Sequence, residues 1–346
     1  MKKFLRPLLL GLILSVGVSL LTGCGKKADY AIRVGDLKIS ENDYYRNVLA
    51  LRSNYLASLN EEDSVALWTE PMDDGATMSD VFVDYINNHL IEQKLYAQQF
   101  ERLGLSFAEN EEQAIHSALS EAVENAGGMS TFTAALAQEN YTYDEYLEEI
   151  YDSAKKSKVL AYYYGEGGVA PVSTQDIKDY YNVHNARVKV VFILKVDAST
   201  GEALGEEALA EARRKAEDVY NLACKESETD QFDEIISLYS DDTSSKGSGI
   251  VVSENGGYNE EMTSAALAME VGEVTRLELE NGFMILKRYD GTADDVFTST
   301  MRQATLETLR ADDISAMLED WKKDSDIQIN TKITKKYLPE KLVEES

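Results

Sequence analysis

Two different periods of apolar residues mark the predicted elements of this chain. The run VKVVFILKV at 188–196 is typical of a strand, and it precedes a helix whose apolar residues recur at helical spacing: Leu209, Ala212, Ala216, Val219, Tyr220 and Ala223. A short helical segment ends at Met269 and the turn EVGEV follows it. Two further strand-like runs enclose Asn281-Gly282, which predicts a hairpin because both residue types tolerate positive φ.

The N-terminal half has the pattern of a short strand pair followed by several helices. Residues 30–39 predict two strands around Gly35-Asp36, and residues 60–76 predict a surface loop over Trp68. Five pairs of a hydroxyl residue and an acid three positions later predict helix starts, since such pairs satisfy free N–H groups and favour the helix dipole. These pairs are Ser40/Asp43, Thr77/Asp80, Ser106/Glu109, Thr142/Glu145 and Ser173/Asp176.

The C-terminal segment predicts one more helix and one more strand. Apolar spacing indicates a helix from about 296 to 323, and the alternating run 327–333 indicates a half-buried strand. Residues 165–173, which are rich in glycine and contain Pro171, predict a linker in the middle of the chain. The run 327–333 needs a partner strand, and we expect residues 30–39 to supply it.

The first 23 residues predict a secretory signal. They have a basic start, an apolar run and a small-residue end. Leu21-Thr22-Gly23-Cys24 matches the lipobox of bacterial lipoproteins, which implies a diacylglycerol anchor on Cys24; the alternative is a plain signal peptide that ends in cysteine. No later run reaches the ~18 apolar residues of a membrane span. We therefore expect an extracytoplasmic protein held on the outer face of a bacterial cell membrane.

Net charge narrows the possible partners. The chain carries −28 at pH 7, and this argues against nucleic acid, which requires clustered Lys and Arg. Self-repulsion that keeps the protein soluble explains the charge, and a preference for basic unfolded clients is the alternative. The two cysteines predict no disulfide framework. Cys224 is interpreted as a small apolar filler, with a reactive thiol as the alternative.

Three motifs carry a resemblance to a known family. YSDDTSSKGSG, AALAMEVGEVT and ENGFMILKRYD, within about 187–290, resemble the parvulin family of peptidyl-prolyl isomerases. The whole chain is similar to the PrsA/SurA group of extracytoplasmic foldases. The resemblance implies an α+β fold with a small antiparallel sheet flanked by helices at 172–292. It also implies a helical chaperone domain made of 25–165 plus 293–346.

The catalytic pattern implied by this resemblance is incomplete. Parvulins place two histidines and a Cys or Asp around the substrate bond. Phe192 and Met284 stand at the two histidine positions, and Asp242 keeps the Cys/Asp position in type. Neither Phe nor Met can donate or relay a proton. The resemblance therefore implies Asp242 as the remaining catalytic candidate, whereas a helix stop with Asx and Ser/Thr turns is the alternative role for Asp241-Asp242-Thr243-Ser244.

Other residues of the site follow from the same resemblance. The family's substrate pocket maps to Tyr258, Asn259 and Met262, and the floor to Phe192 and Met284. Tyr258 and Met262 have an alternative role as ordinary core residues. Where the family has the pattern GGDLG, this chain differs and has Ser248-Gly249-Ile250-Val251-Val252. Three scattered histidines make no metal-ligand spacing, so we expect no metal and no cofactor.

Three functions remain open at this stage. The first is a membrane-anchored foldase that holds unfolded secreted polypeptides, for which twenty tyrosines and nine methionines offer adaptable apolar surface. The second is an active proline isomerase working through Asp242. The third is a surface scaffold or adhesion protein.

Overall fold

The structure is a computed structural model, and it describes residues 30–59, 63–73, 75–225, 229–254 and 256–343. The predicted signal 1–23 and the predicted lipidation site Cys24 lie outside these residues. The chain divides into two compact units, the first formed by residues up to Ala170 and from Asp312 onward, the second by Pro171–Ala311. The α+β class is confirmed, because each unit combines helices with a small antiparallel sheet.

The described residues form two sheets and a series of helices. The strands are β1 Ile32–Val34, β2 Leu37–Ile39, β3 Asn185–Leu194, β4 Ile250–Ser253, β5 Val274–Glu278, β6 Gly282–Tyr289 and β7 Ile327–Ile329. The helices are α1 Glu41–Leu59, α2 Val65–Thr69, α3 Met78–Arg102, α4 Glu109–Asn125, α5 Met129–Gln138, α6 Tyr143–Tyr164, α7 Thr174–His184, α8 Glu206–Ala223, α9 Phe232–Tyr239, α10 Glu260–Ala268, α11 Ser299–Leu309, α12 Ala311–Asp324 and α13 Thr331–Thr334. The second unit extends to Ala311 because α11 packs against α7 within it.

Local capping explains where most helices begin. Thr77 and Asp80 exchange bonds: the Asp80 amide donates to Thr77 Oγ1 over 3.1 Å, and the Thr77 amide donates to Asp80 Oδ2 over 3.0 Å. The same reciprocal pair forms at Ser40, Thr142 and Ser173, as predicted. The predicted pair Ser106/Glu109 is wrong, because α4 begins after Ala108, whose amide donates to Glu111 Oε2 over 2.7 Å.

The first sheet joins the two ends of the described chain. β1 lies between β2 and β7 and pairs with both in the antiparallel sense. Ile32 is opposite Ile329, and the amide of Asn330 donates to Ala31 O over 2.8 Å. The partner predicted for the C-terminal strand is therefore confirmed. Its predicted length is wrong, because Asn330 ends the strand by capping α13 through the Lys332 amide.

One predicted helix is two helices in the structure. The run 296–323 is divided at Arg310, which leaves helical geometry at φ −113° and ends α11. The loop predicted at 60–76 contains the short helix α2, which Ser64 caps through the Leu67 amide. Trp68 on this helix is fully buried and lies 5.3 Å from Phe82 between ring centroids, so the prediction that it packs beneath the surface is confirmed.

The second sheet has two apolar faces that are covered differently. Its strand order is β4–β3–β6–β5, with every neighbouring pair antiparallel. Val191, Ile193, Phe283 and Ile285 point to one face, where buried residues of α8 and α9 pack on them. Val188, Val190 and Leu286 point to the other face, where Met262, Ala266 and Met269 pack on them. The candidate site lies on this second face, because residues alternate between faces along a strand.

Candidate functional site

The two positions where the parvulin resemblance expects histidines are direct neighbours in the sheet. Phe192 on β3 is opposite Met284 on β6 in the antiparallel register. Val191 and Ile285, the next pair along, point into the core under α8 and α9, so Phe192 and Met284 point to the opposite face. Both side chains are half-buried. Side chains directly opposite each other in a sheet are close enough to interact, so the pair forms one small apolar surface.

This apolar surface continues on to the edge strand. Leu277 on β5 is opposite Met284, and both side chains pack against the buried cluster around Val190 and Leu286. The row of Phe192, Met284 and Leu277 therefore crosses three strands on one face. A thioether is a weak acceptor and the other two side chains have no polar atom, so none of the three can relay a proton.

Gly282 gives the Phe192 ring its position. A Cβ placed at Gly282 would lie 2.4 Å from Cζ of Phe192 and 2.9 Å from the carbonyl oxygen of Ile193. The ring thus lies over the backbone of the neighbouring strand, diagonal to its own register partner. The sequence predicts a hairpin at Asn281-Gly282 because both residue types tolerate positive φ. That reason is wrong, since neither residue has positive φ, and space for the ring explains the glycine instead.

A loop closes the outer edge of β3 beside Phe192. β4 pairs with β3 only from Asn185 to Val188, which leaves the later backbone groups on that edge without a strand partner. The Val190 amide donates to Ser245 Oγ over 2.8 Å, and the Phe192 amide donates to Ser240 Oγ over 2.9 Å. The Asp241 amide donates to Phe192 O over 2.8 Å. Side chains and backbone of 240–245 therefore replace a paired strand at this edge.

Asp241 and Asp242 have different contacts within this loop. Asp241 Oδ2 accepts from the Leu194 amide over 2.8 Å, which ties the loop to the end of β3. Asp242 is exposed, and its Oδ1 accepts from the Ser244 amide over 2.8 Å, which is an Asx-turn bond. The amide of Asp242 donates to Ser240 Oγ over 3.2 Å. These are the turn contacts that the alternative role of Asp241-Asp242-Thr243-Ser244 requires.

The three pocket residues named by the resemblance differ in exposure. Asn259 caps α10 by accepting from the Met262 amide over 2.7 Å. Met262 is 2% exposed and belongs to the same buried cluster that Met284 packs against. Tyr258 is 41% exposed. The structure thus brings Met262 and Met284 into one cluster and leaves both Tyr258 and Asn259 exposed.

An ion pair between a buried lysine and a partly exposed aspartate anchors the loop from the other face of the sheet. Lys189 on β3, only 6% exposed, donates to Asp233 Oδ2 over 2.8 Å. Asp233 Oδ1 accepts from the Gly247 amide over 3.1 Å, so one carboxylate connects strand, helix and loop. Burial acts to raise the pKa of Asp233, but the hydrogen bonds from Lys189 and Gly247 leave it below its ordinary value. Sequence analysis missed this pair, although a lysine inside an apolar strand run was its signal.

A second hydrogen-bonded cluster, formed by Asp230, Lys287 and Tyr289, lies beside this pair. Tyr289 donates to Asp230 Oδ2 over 2.7 Å, and the Lys287 ammonium donates to Oδ1 of the same carboxylate over 2.9 Å. The Lys189 ammonium lies 4.9 Å from the centre of the Tyr289 ring. Burial, and then the bond to Asp230, raises the pKa of Tyr289 well above its ordinary value. The group is bonded internally and stabilises the end of the sheet.

The described residues contain no group of three or more His, Cys, Asp or Glu side chains arranged to hold a metal ion. His184 contacts Glu254 over 3.2 Å. Cys224 is exposed and forms no disulfide with any residue that the structure describes.

Comparisons with known families cover most of the chain. Residues 1–160 match the model of the SurA-like N-terminal domain, and residues 194–290 match the model of the PPIC-type PPIase domain, the rotamase family. The second match includes Asp242 and Met284 and begins two residues after Phe192. Among curated proteins no match was found.

Solved structures similar to the chain are PrsA foldases and a SurA-like chaperone. PrsA of Bacillus subtilis is 20% identical, with 78% of this chain and 97% of that chain covered and a TM-score of 0.26. PrsA of Streptococcus pneumoniae is 14% identical, with coverage of 90% and 92% and a TM-score of 0.28. A structure from Campylobacter jejuni, reported for SurA-like chaperones, is 13% identical, with coverage of 88% and 99% and a TM-score of 0.28. With both family models matched in this order, the chain combines a SurA-like N-terminal domain with a PPIC-type PPIase domain of the parvulin kind.

Proposed function

We propose that this protein is an extracytoplasmic, lipid-anchored foldase whose parvulin-like unit binds unfolded secreted chains but isomerises proline bonds weakly. The observation that carries the proposal is the cross-strand pair Phe192 and Met284. Rotation about a peptide bond has a barrier of about 18–20 kcal/mol, and neither side chain can donate or relay a proton to assist it. The half-buried pair can still pack against a proline ring or an aromatic side chain of a client.

The contacts of Asp242 support the same proposal. In an active isomerase lacking both histidines, this carboxylate would have to act without their support. It is exposed and is bonded within its own turn. Catalytic groups are usually tuned by burial or by close charge partners, so an exposed turn residue is a poor candidate. We therefore assign Asp242 a role in the turn and assign client contact to Phe192, Met284 and the exposed Tyr258.

The two units divide the work in this proposal. The first unit, made of both ends of the chain, holds the unfolded client, and the inserted second unit adds an apolar contact surface. Weak and reversible contacts suit a foldase, because a client must leave in order to fold. The match of residues 1–160 to the SurA-like N-terminal domain supports the binding of unfolded polypeptides.

The lipid anchor rests on the lipobox at 21–24. Two or more acyl chains hold a protein stably at a membrane. The structure adds that no helix within the described residues is long and apolar enough to cross a bilayer. A Cys24→Ser variant is expected to appear in the medium or as unprocessed precursor. Unchanged membrane fractionation together with an unchanged mature mass would contradict the anchor.

A paired assay tests the foldase proposal on a soluble chain that begins at residue 25. We expect a short Xaa-Pro peptide to isomerise close to its uncatalysed rate while aggregation of an unfolded client is suppressed. An Asp242→Ala variant should behave as the parent in both assays. A robust rate that this variant abolishes would establish the active isomerase instead. Absence of any suppression would contradict the foldase and favour a surface scaffold.

Restoring the histidines provides a sharper test of why catalysis is weak. The double variant Phe192→His with Met284→His places two imidazoles opposite each other on the central strands. We expect the isomerisation rate to rise above that of the parent chain. Phe192→Leu with Met284→Leu is the matched control, since it changes the same positions and keeps them apolar. A rise in the control equal to that in the histidine variant would refute this explanation.

A further inference from the structure

The first unit contains a cavity that is separate from the candidate site on the four-stranded sheet. It has a volume of about 290 Å³ and lies among β2, α1, α3 and α6. Its floor includes the apolar residues Ile39 and Leu90 and the ring of Tyr96, which is 3% exposed. Protein sites for whole drug-sized ligands begin at roughly this volume. A single long side chain with its adjoining backbone therefore suits the cavity better than a longer segment of peptide.

The walls of this cavity carry an excess of negative charge. Arg46, Lys94 and Lys156 are its cations, and it is lined by the six carboxylates of Asp43, Glu92, Glu145, Glu148, Glu149 and Asp152. Among the described residues, Lys155 bonds to Asp152, and Lys322 bonds both to Glu92 and to Glu319 outside the lining. With these three ions included, an excess of two negative charges remains. Burial, and then the nearby Lys156, lowers the pKa of His89, so this histidine adds no positive charge at neutral pH.

One ring and one carboxylate of this cavity already contact cations of the protein. The Lys156 ammonium already lies 5.6 Å from the centre of the Tyr96 ring, so one face of that ring lies next to a positive charge. Burial raises the pKa of Glu92 in spite of its contact with Lys322, which means that its charge is incompletely compensated. An additional cation would stabilise the charged form of this carboxylate.

Arg46 adds an independent requirement for a hydrogen-bond acceptor. This cavity-lining side chain is only 6% exposed. Two of its nitrogens are used, since Nη2 donates to Asp43 Oδ1 over 2.7 Å and Nη1 donates to Asn140 O over 3.2 Å. Its Nε–H has no hydrogen-bond partner within the part of the chain that the structure describes. A buried donor without an acceptor is costly, and a peptide carbonyl would satisfy it.

We propose that this cavity binds a lysine or arginine side chain of an unfolded client together with an adjoining backbone carbonyl. The proposal rests on the foldase function and names the class of client segment that the first unit selects. Acidic walls attract the cation, the apolar floor contacts the aliphatic stem, and the Nε–H of Arg46 donates a hydrogen bond to the carbonyl. The residues that line this cavity all belong to the first unit.

The test compares three unstructured fluorescent peptides that differ at one position, which is lysine, norleucine or glutamate. Binding to the soluble chain beginning at residue 25 is measured by anisotropy. We expect the lysine peptide to bind about fivefold more tightly than the norleucine peptide, the effect of a few partly exposed ionic contacts. The glutamate peptide should bind most weakly. Equal binding of the lysine and norleucine peptides, or no binding of either, would overturn the proposal.

Two pairs of variants separate this cavity from the net charge of the whole protein. Glu148→Gln with Glu149→Gln removes two carboxylates from the exposed face of α6 and should remove the lysine preference. Glu121→Gln with Glu124→Gln makes the same charge change on the exposed face of α4 and should retain it. Ser153→Lys at the cavity should weaken the lysine peptide, whereas Ser120→Lys on α4 should not. Equal effects within either pair would mean that long-range charge explains the preference.

Competition and aggregation assays distinguish the remaining outcomes. Spermidine tests for a site that takes free amines, and tighter binding of spermidine than of the lysine peptide would overturn assignment to a client. Suppression of aggregation with no lysine preference would leave the foldase intact and reject this inference. A lysine preference without suppression would reject the foldase and retain the cavity as a site for basic side chains.

Discussion

The two faces of the four-stranded sheet differ in how completely they are covered. Under α8 and α9, Phe283 and Ile285 are almost entirely buried. On the other face α10 covers Val190 and Leu286, but Phe192 and Met284 remain half-buried. Phe283 and Met284 are consecutive residues, so the single strand β6 contributes to both the covered and the half-covered face. The comparison shows how the residues on the candidate site can change type while the covered face continues to hold the unit together.

The largest expected effect tests this difference directly. Phe283→Ala should lower the free energy of unfolding by about 3–5 kcal/mol, because it leaves a cavity under two helices. Met284→Ala should cost less than about 2 kcal/mol, because part of its side chain is already in water. Urea unfolding of both variants measures the difference. Equal losses would mean that the two faces contribute alike to stability.

Gly282→Ala sharpens the comparison at the boundary of the half-covered face. The new methyl would collide with the Phe192 ring and approach Ile193 O. We expect a loss of about 1–3 kcal/mol, as for other overpacked sites. Adding Phe192→Ala should recover part of that loss, since it removes the ring. A double variant no more stable than Gly282→Ala alone would show that the backbone contact, and not the ring, limits this position.

Two residues of the loop 240–245 beside β3 should respond differently to truncation. Ser245 is 3% exposed, accepts from the Val190 amide and donates to Val190 O over 3.1 Å. Ser245→Ala should cost about 1–3 kcal/mol, since it leaves buried backbone groups unpaired. Asp242→Ala should change stability by less than about 0.5 kcal/mol, as is usual for an exposed residue. Thermal unfolding of both variants provides the check, and a larger loss for Asp242→Ala would indicate contacts beyond its turn.

The smallest expected effect depends on pH. Because folding lowers the pKa of Asp233 below its ordinary value of 3.8, its charged form stabilises the fold above that value. This stabilisation is lost as the pH falls through the lowered pKa. Asp233→Asn should therefore be less stable than the parent at pH 6, and the difference should shrink by pH 3. Glu234→Gln, an exposed neighbour on α9, is the control and should track the parent at both values.

Local features of the fold were predictable, and contacts between distant residues were not. The capping pairs at Thr77, Thr142 and Ser173 lie within three residues, so their chemistry is visible in the sequence. Ser106 failed as a start because Ala108 begins the helix without any side-chain cap, using only the carboxylate of Glu111. The helix break at Arg310 could not be predicted, because no proline or glycine lies near it in the sequence.

The candidate site was predictable in position and not in physical detail. The resemblance located Phe192 and Met284, and the strand register then showed them to be neighbours. The seal on β3 by Ser240 and Ser245 joins residues about fifty positions apart, and no periodicity reports such a contact. The sequence alone predicts Gly282 to be a turn residue. The ring that excludes a side chain at this position comes from another strand, so local sequence does not reveal it.

The pairing of Ile32 with Ile329 has a consequence for the order in which the chain folds during synthesis. The second unit is continuous in sequence, so it can form once its own residues have emerged. The three-stranded sheet of the first unit must wait for β7, which follows the whole second unit in the chain. Closing so long a loop costs entropy and slows the step. We expect protease to spare the second unit and cut the first in nascent chains that stop before residue 325, because the first unit then lacks β7.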